Sequence, residues 1–272
     1  LSWSSASALL TLTAVIGVTA APQHAAAADA TFPVRPIRLV IPFPPGGTPD
    51  IQGRMLAEKL APRLGQPVVI DNRGGANGII GMEIVAQAPA DGHTLVVSTV
   101  GAWAVHPHLY KLPYNIERDF APVINLAGTP AVLVVHPSLP VKSVKELVAL
   151  ARQKPGELSY GSVGVGGFFH ISAELFAHMA GIKMLHVPYK GGAVALSNLI
   201  GGHIQLMFNT TIVSLPHIQA GRVRAPATTA ASRSQILPEL PTIAEAGVPG
   251  YEGITWTAVG APARTPRVVI ER

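Results

Sequence analysis

Apolar blocks and turn-rich blocks alternate along this chain. Residues 36–42, PIRLVIP, form a short apolar run, and FPPGGTPD, Phe43 to Asp50, follows at once. Beyond it Ile51, Met55, Leu56 and Leu60 recur at helical spacing. The run predicts a buried strand over 36–42. The spacing predicts a helix over 49–64, with Thr48 as N-cap, Pro49 as its first residue and Asp50 in its first turn. The same alternation then repeats. Strands are expected at 67–71, 94–98, 131–135, 158–161, 184–187, 205–208 and 254–259. Helices are expected at 79–88, 143–153, 170–180, 193–200 and 213–220. Ser143 with Glu146 three residues on makes a capping box for the helix at 143–153. Strands alternating with helices imply parallel pairing and an α/β fold.

No Gly/Ser tether interrupts this pattern. Two lobes would therefore be joined by short crossings, near 125–130 and 251–255. The first 28 residues depart from the alternation. They contain no Asp, Glu, Lys or Arg, run apolar from Leu9 to Ala21, and end in four alanines before Asp29. That is the form of a secretory signal peptide, so residues 1–28 are expected to be removed on export.

Composition changes the picture in two ways. There is no cysteine, which excludes disulfides and thiolate-held metals. The net charge is +5, but the basic residues are scattered, which argues against nucleic acid and fits attraction of anionic ligands into a cleft.

Four loops share one form, a strand followed by a polar or Gly-rich turn and a helix. They are Phe43–Asp50, Ser162–His170, Pro188–Gly192 and Asn209–Thr211. In parallel sheets such loops line the ligand crevice, and helix starts there suit a carboxylate or a phosphate. Gly46, Gly47, Gly164, Gly166 and Gly167 would let backbone approach that ligand. Phe168 and Phe169 could wall the pocket as readily as fill the core, and Trp103 and Phe208 lie beside the same loops. Enzyme signatures fail. Tyr160-Gly161-Ser162-Val163-Gly164 lacks the Gly two residues before Ser that a nucleophile elbow needs. Gly164-Val165-Gly166-Gly167-Phe168-Phe169 has Phe where a dinucleotide fingerprint needs Gly. His106-Pro107-His108 has no carboxylate nearby and reads as loop or surface histidines rather than a metal site. No catalytic residue, metal ligand or cofactor is expected.

Several stretches together resemble one family. They are PIRLVIPFPPGGTPD, LGQPVVIDNRGGANG, DGHTLVVS, LPYN with DFAPV, PGELSYGSVG, HISAELF, HVPYKGG, LPELPTIAEAGVPGYE and APARTP, spread from Pro33 to Val269. In this order they resemble the substrate-binding receptors of tripartite tricarboxylate transporters, the Bug family of periplasmic binding proteins.

The resemblance implies a two-lobed periplasmic binding protein of type II-like form. Each lobe would be a mostly parallel sheet flanked by helices, and two crossing strands would join them. Lobe 1 would take residues 29–127 and the return at 255–272, and lobe 2 residues 128–254. Phe43, Gly46, Gly47, Thr48 and Asp50 would be first-lobe contacts to a carboxylate, held largely by backbone amides. Ser162, Gly164, Gly166 and His170 match a second-lobe loop. Tyr189, Lys190 and Gly191 match another, which touches ligand or braces the cleft. Asn209 completes the set, at a position where the family more often has Asp. Ala225-Pro226-Ala227-Thr228 stands where the family has an apolar strand. The family also continues past Arg272, and this sequence opens on Leu1, so a truncated chain or a partial record is expected.

The function implied is a monomeric receptor in the periplasm of a Gram-negative-type cell. It would bind a di- or tricarboxylate, an acidic amino acid or an aromatic carboxylate, and deliver it to membrane transporter subunits. The alternatives are a ligand sensor for a signalling partner, a non-binding fragment and, least in keeping with the residues, a hydrolase.

Overall fold

The computed structural model describes residues 32–272; the leader expected at 1–28 lies outside them. In chain order the elements are β1 (Ile37–Ile41), α1 (Thr48–Leu64), β2 (Val68–Asn72), α2 (Ile79–Ala86), β3 (Thr94–Thr99), α3 (His106–Leu109), α4 (Ile116–Asp119), β4 (Phe120–Val135), α5 (Val144–Gln153), β5 (Ser159–Ser162), α6 (Phe168–Ala180), β6 (Leu185–Pro188), α7 (Gly192–Ile200), β7 (Leu206–Thr210), α8 (Thr211–Gln219), β8 (Arg224–Thr228), β9 (Ile254–Pro262) and α9 (Arg267–Glu271). A π-helical turn at Gly101–Val105 precedes α3.

Two lobes are built on one continuous sheet, ordered β2-β1-β3-β9-β4-β7-β5-β6, with β8 on β4. In the first lobe β1 pairs in parallel with β2 and β3. In the second lobe β5 pairs in parallel with β6 and β7. The antiparallel strands β4 and β9 run between them, paired from Phe120↔Pro262 to Pro130↔Ile254. From Ala131 onward β4 leaves β9 and pairs with β7 and β8 instead. Its far end is AVLVV. Val132 and Val134 pack on α7 and α8, while Leu133 and Val135 pack on α5 and α6. A strand covered on both faces reads as an unbroken apolar run, which is why the sequence shows it.

The other half of β4 has no apolar run; its stretch 125–130 is where a crossing between lobes is expected, and the strand begins earlier, at Phe120. Phe120 to Pro130 holds Pro122, Gly128 and Pro130, is mostly partly exposed, and has register shifts between Pro122 and Ile124 and between Asn125 and Ala127. Bulges absorb the residues that a regular ladder would reject. β8 shows the same device. Its register shifts between its pairings with Leu133 and Val135, and Pro226 falls within that irregular stretch.

Most helices begin earlier than the apolar spacing suggests. α1 starts at Thr48 with Gly47 as N-cap, so Thr48 is not the cap. α6 starts at Phe168, α7 at Gly192 and α8 at Thr211. Glycine or threonine precedes each start, and none of these four has a side-chain cap. Half of the capping box at Ser143 forms: Ser143 Oγ accepts from Glu146 N at 3.2 Å, while Glu146 Oε2 accepts from Lys142 N at 2.6 Å.

Candidate functional site

The starts of α1, α6, α7 and α8 meet around one cavity at the junction of the lobes. The first lobe contributes Phe43 to Pro45, Gly47 to Pro49, and Thr99 at the end of β3. The second contributes Val163, Phe168, Phe169, Gly191 to Val194, Asn209 and Thr210, and β9 adds Thr255 and Thr257. The cavity is partly open to solvent and measures about 50 Å³, room for roughly three to five ordered waters or a small polar head group. No Asp, Glu, Lys or Arg lies in the wall. The first N–H groups of a helix have no acceptor within it, and they carry the positive end of its dipole. Four uncapped helix starts therefore give the cavity a positive field without a cationic side chain.

The first-lobe loop is held from behind. Asp50 is buried, and its Oδ2 accepts from Gly46 N at 2.9 Å. Its Oδ1 accepts from Asn72 Nδ2 at 3.0 Å, and Arg54 Nε reaches both oxygens at 3.1 Å. Asn72 Nδ2 also donates to Phe43 O at 3.1 Å. Burial pushes the Asp50 carboxyl up, but Arg54, the Gly46 amide and Asn72 outweigh it and hold it below the ordinary carboxylate range. Gly46 sits at φ +83, in the left-handed region.

The lobes touch at this wall. Thr48 Oγ1 and Thr210 Oγ1 share a hydrogen bond of 2.5 Å, with both residues buried. A Cβ on Gly191 would stand 3.2 Å from the Pro44 ring, so glycine allows the second lobe to approach that closely. Gln52 of α1 reaches the crossing strands, donating to Thr129 Oγ1 at 3.3 Å and accepting from Thr257 Oγ1. Asn209 is 1 % exposed, and its Oδ1 accepts from Thr210 N at 2.9 Å. Its Nδ2 is a buried donor with no hydrogen-bond partner.

Of the residues named from sequence, Phe43, Gly47, Thr48, Gly191 and Asn209 line the cavity, and Gly46 and Asp50 stand behind it. Phe168 and Phe169 form part of the wall, whereas Phe208 lies in the second-lobe core and Trp103 packs on Phe120. Ser162, Gly164, Gly166, His170, Tyr189 and Lys190 are not part of the wall. Ser162 Oγ is hydrogen-bonded to His186 Nε2 at 2.6 Å, and His170 Nδ1 accepts from Gly166 N at 3.4 Å. Tyr189 packs beside α7, and Lys190 is exposed. His106 is fully buried, against the reading of a loop or surface histidine; the turn at 101–105 folds it inward, and burial lowers its pKa. Thr99, Thr255 and Thr257 were not anticipated. Thr255 and Thr257 alternate along β9 and so share a face, which was the available signal.

The family profile described as "Tripartite tricarboxylate transporter family receptor" matches residues 53–272. The chain belongs to this family. Among solved structures it is similar to Rpa4515 of R. palustris with adipate, at 44 % identity and a TM-score of 0.87 over 88 % of this chain and 81 % of that one. It is similar to MatC of Rhodopseudomonas palustris with bound malate, at 32 % identity and a TM-score of 0.83 over 88 % and 82 %. It is also similar to the periplasmic binding protein BugD, at 34 % identity and a TM-score of 0.83 over 88 % and 80 %. The α/β two-lobed form expected from the sequence agrees with these receptors. Among the described residues, no helix is long and apolar enough to cross a membrane.

Proposed function

We propose that this tripartite-family receptor is periplasmic, binds a small carboxylate in the cavity between its lobes, and delivers it to the membrane subunits of a transporter. The observation that carries the proposal is the convergence of four uncapped helix starts on a cavity whose wall holds no charged side chain. Such a wall attracts an anion through amides and dipoles. The amides of Gly47 and Thr48 are the first-lobe donors, and Asn209 Nδ2 is the second-lobe donor. A buried donor without an acceptor costs about 1–3 kcal/mol, and a ligand oxygen facing Asn209 recovers it. The diacids bound to Rpa4515 and MatC are ligands of this chemistry. Among the described residues, lobe 1 takes those up to 127 with 255–272, lobe 2 takes 128–254, and the ligand bridges them.

The chain acts by closure, not catalysis: ligand contact with both lobes stabilises the closed form, and the transporter reads that form. The one serine–histidine pair in the neighbourhood of these loops does not support hydrolysis. Ser162 is fully buried outside the cavity wall, and its Oγ also accepts from Gly164 N at 3.0 Å.

A thermal-shift screen of succinate, malate, adipate, glutamate and neutral sugars tests this. A bound acid at about a hundred times its Kd adds about 2.7 kcal/mol, or about 5–10 °C for a chain of this size. Asn209→Leu should weaken the best acid at least tenfold, judged against the unliganded Tm of the same variant, which falls because the buried Thr210 N–H loses its acceptor. No shift with any acid, or shifts with sugars alone, would overturn the proposal.

A further inference from the structure

The Gly-rich loop between β5 and α6 has two faces. Val163 lines the cavity, while the backbone carbonyl of Val165 is turned to the first lobe. The Val165 carbonyl accepts two hydrogen bonds from that lobe, from Asn77 Nδ2 and from Tyr110 Oη, each at 2.9 Å. Asn77 Nδ2 also lies 3.0 Å from His106 Nε2, and its two hydrogens satisfy both acceptors. The His106 ring stands edge-on to Tyr110, with ring centroids 5.4 Å apart. Three side chains of the first lobe thus form one connected set around a single second-lobe carbonyl.

The backbone on both sides is shaped for this contact. Ala76 and Asn77 have φ of +46 and +53, two successive non-glycine residues in the left-handed region. Such conformations persist where surrounding contacts over-determine them, and asparagine tolerates them better than most residues. Across the seam, a Cβ on Gly164 would stand 3.2 Å from the Asn77 side chain, and one on Gly101 would stand 3.1 Å from Gly166 O. The glycines here admit protein to protein.

We propose that Asn77 and Tyr110 are positioning residues that clasp the lobes together and set how tightly the receptor holds any ligand, without touching the ligand. This rests on the receptor reading above for its consequence, since apparent affinity scales with the fraction of molecules in the binding-competent form. The clasp holds the loop that leads from Val163 into α6 against the first lobe, so releasing it lowers the fraction of molecules in the closed form. Because the clasp meets a backbone carbonyl and no ligand atom, it changes all affinities by one factor and leaves selectivity alone.

The test uses Asn77→Gly, which keeps the left-handed backbone, and Tyr110→Phe, which keeps the ring, singly and together. Affinities for malate and adipate are measured by calorimetry and dissociation rates by stopped flow. The chain has no cysteine, so Arg63→Cys and Lys183→Cys, both at exposed positions on opposite lobes, accept spin labels that report lobe separation. The double variant should bind both acids roughly tenfold more weakly, from two ordinary hydrogen bonds. Dissociation should be faster, the ratio between the acids unchanged, and the label distance longer. Unchanged label distances, or a loss for one acid alone, would overturn the clasp. If the parent protein binds neither acid, the receptor reading fails for such acids, while the label distances still decide the clasp.

Discussion

Asp50→Asn separates a brace from a ligand contact. Three donors, from Gly46, Asn72 and Arg54, converge on the two oxygens of Asp50. An amide of the same shape offers one oxygen, so its NH2 must face a donor and leave at least one buried N–H unpaired. The Arg54 side chain is 55 % exposed, so that ion pair is screened and contributes little. The loss falls on whichever of Gly46 and Asn72 meets the new NH2, at about 3 kcal/mol, the upper end of the cost of one buried unpaired group. For a chain of this size that lowers Tm by about 6–12 °C, measurable by calorimetry without ligand at pH 7. The pH dependence supplies a second check. The Asp50 carboxyl is held below its unfolded pKa of about 3.9, so its contribution is complete above that value and is lost as pH falls through the folded pKa. The gap between parent and variant should therefore close in acid. An unchanged Tm at pH 7 with abolished carboxylate binding would refute the brace and make Asp50 a ligand contact.

Two further perturbations test the scaffold. Gly81→Ala places a Cβ 2.5 Å from Pro42 Cβ, 2.7 Å from its Cα and 2.8 Å from Arg73 O, and urea unfolding should register a loss of about 1–3 kcal/mol; a neutral variant would contradict the packing of α2 on the end of β1. Ser143→Ala removes the cap of α5 and should cost about 1 kcal/mol, with carboxylate affinity unchanged because α5 contributes nothing to the cavity wall.

The legible parts of this fold were those where one physical cause dominates. Strands buried on both faces, such as Val132 to Val135, announce themselves as apolar runs. The Ser143 cap fixes its helix start through a side chain visible in the sequence. The four cavity loops were recognisable because strand, glycine and helix follow one another so closely. What escaped was set by partners far along the chain. Phe120 to Pro130 becomes strand because β9 pairs with it through two bulges, and its prolines say the opposite locally. Glycine N-caps hid the starts of α1, α6 and α7. Gly164 and Gly166 have the composition of a ligand loop, yet their close neighbours are Asn77 and Leu109 of the other lobe. Sequence shows that a Cβ is unwelcome, not what would collide with it.

The passage of β4 through both lobes bears on how the molecule comes apart. β4 exchanges its partner β9 for β7 and β8 in mid-strand, between Pro130 and Ala131, with hydrogen-bonded partners on either side. β4 thus offers no linker at which one lobe could melt, be excised or be exchanged while the other kept its edges satisfied. Thermal unfolding of the two cores is therefore expected as a single cooperative transition in calorimetry.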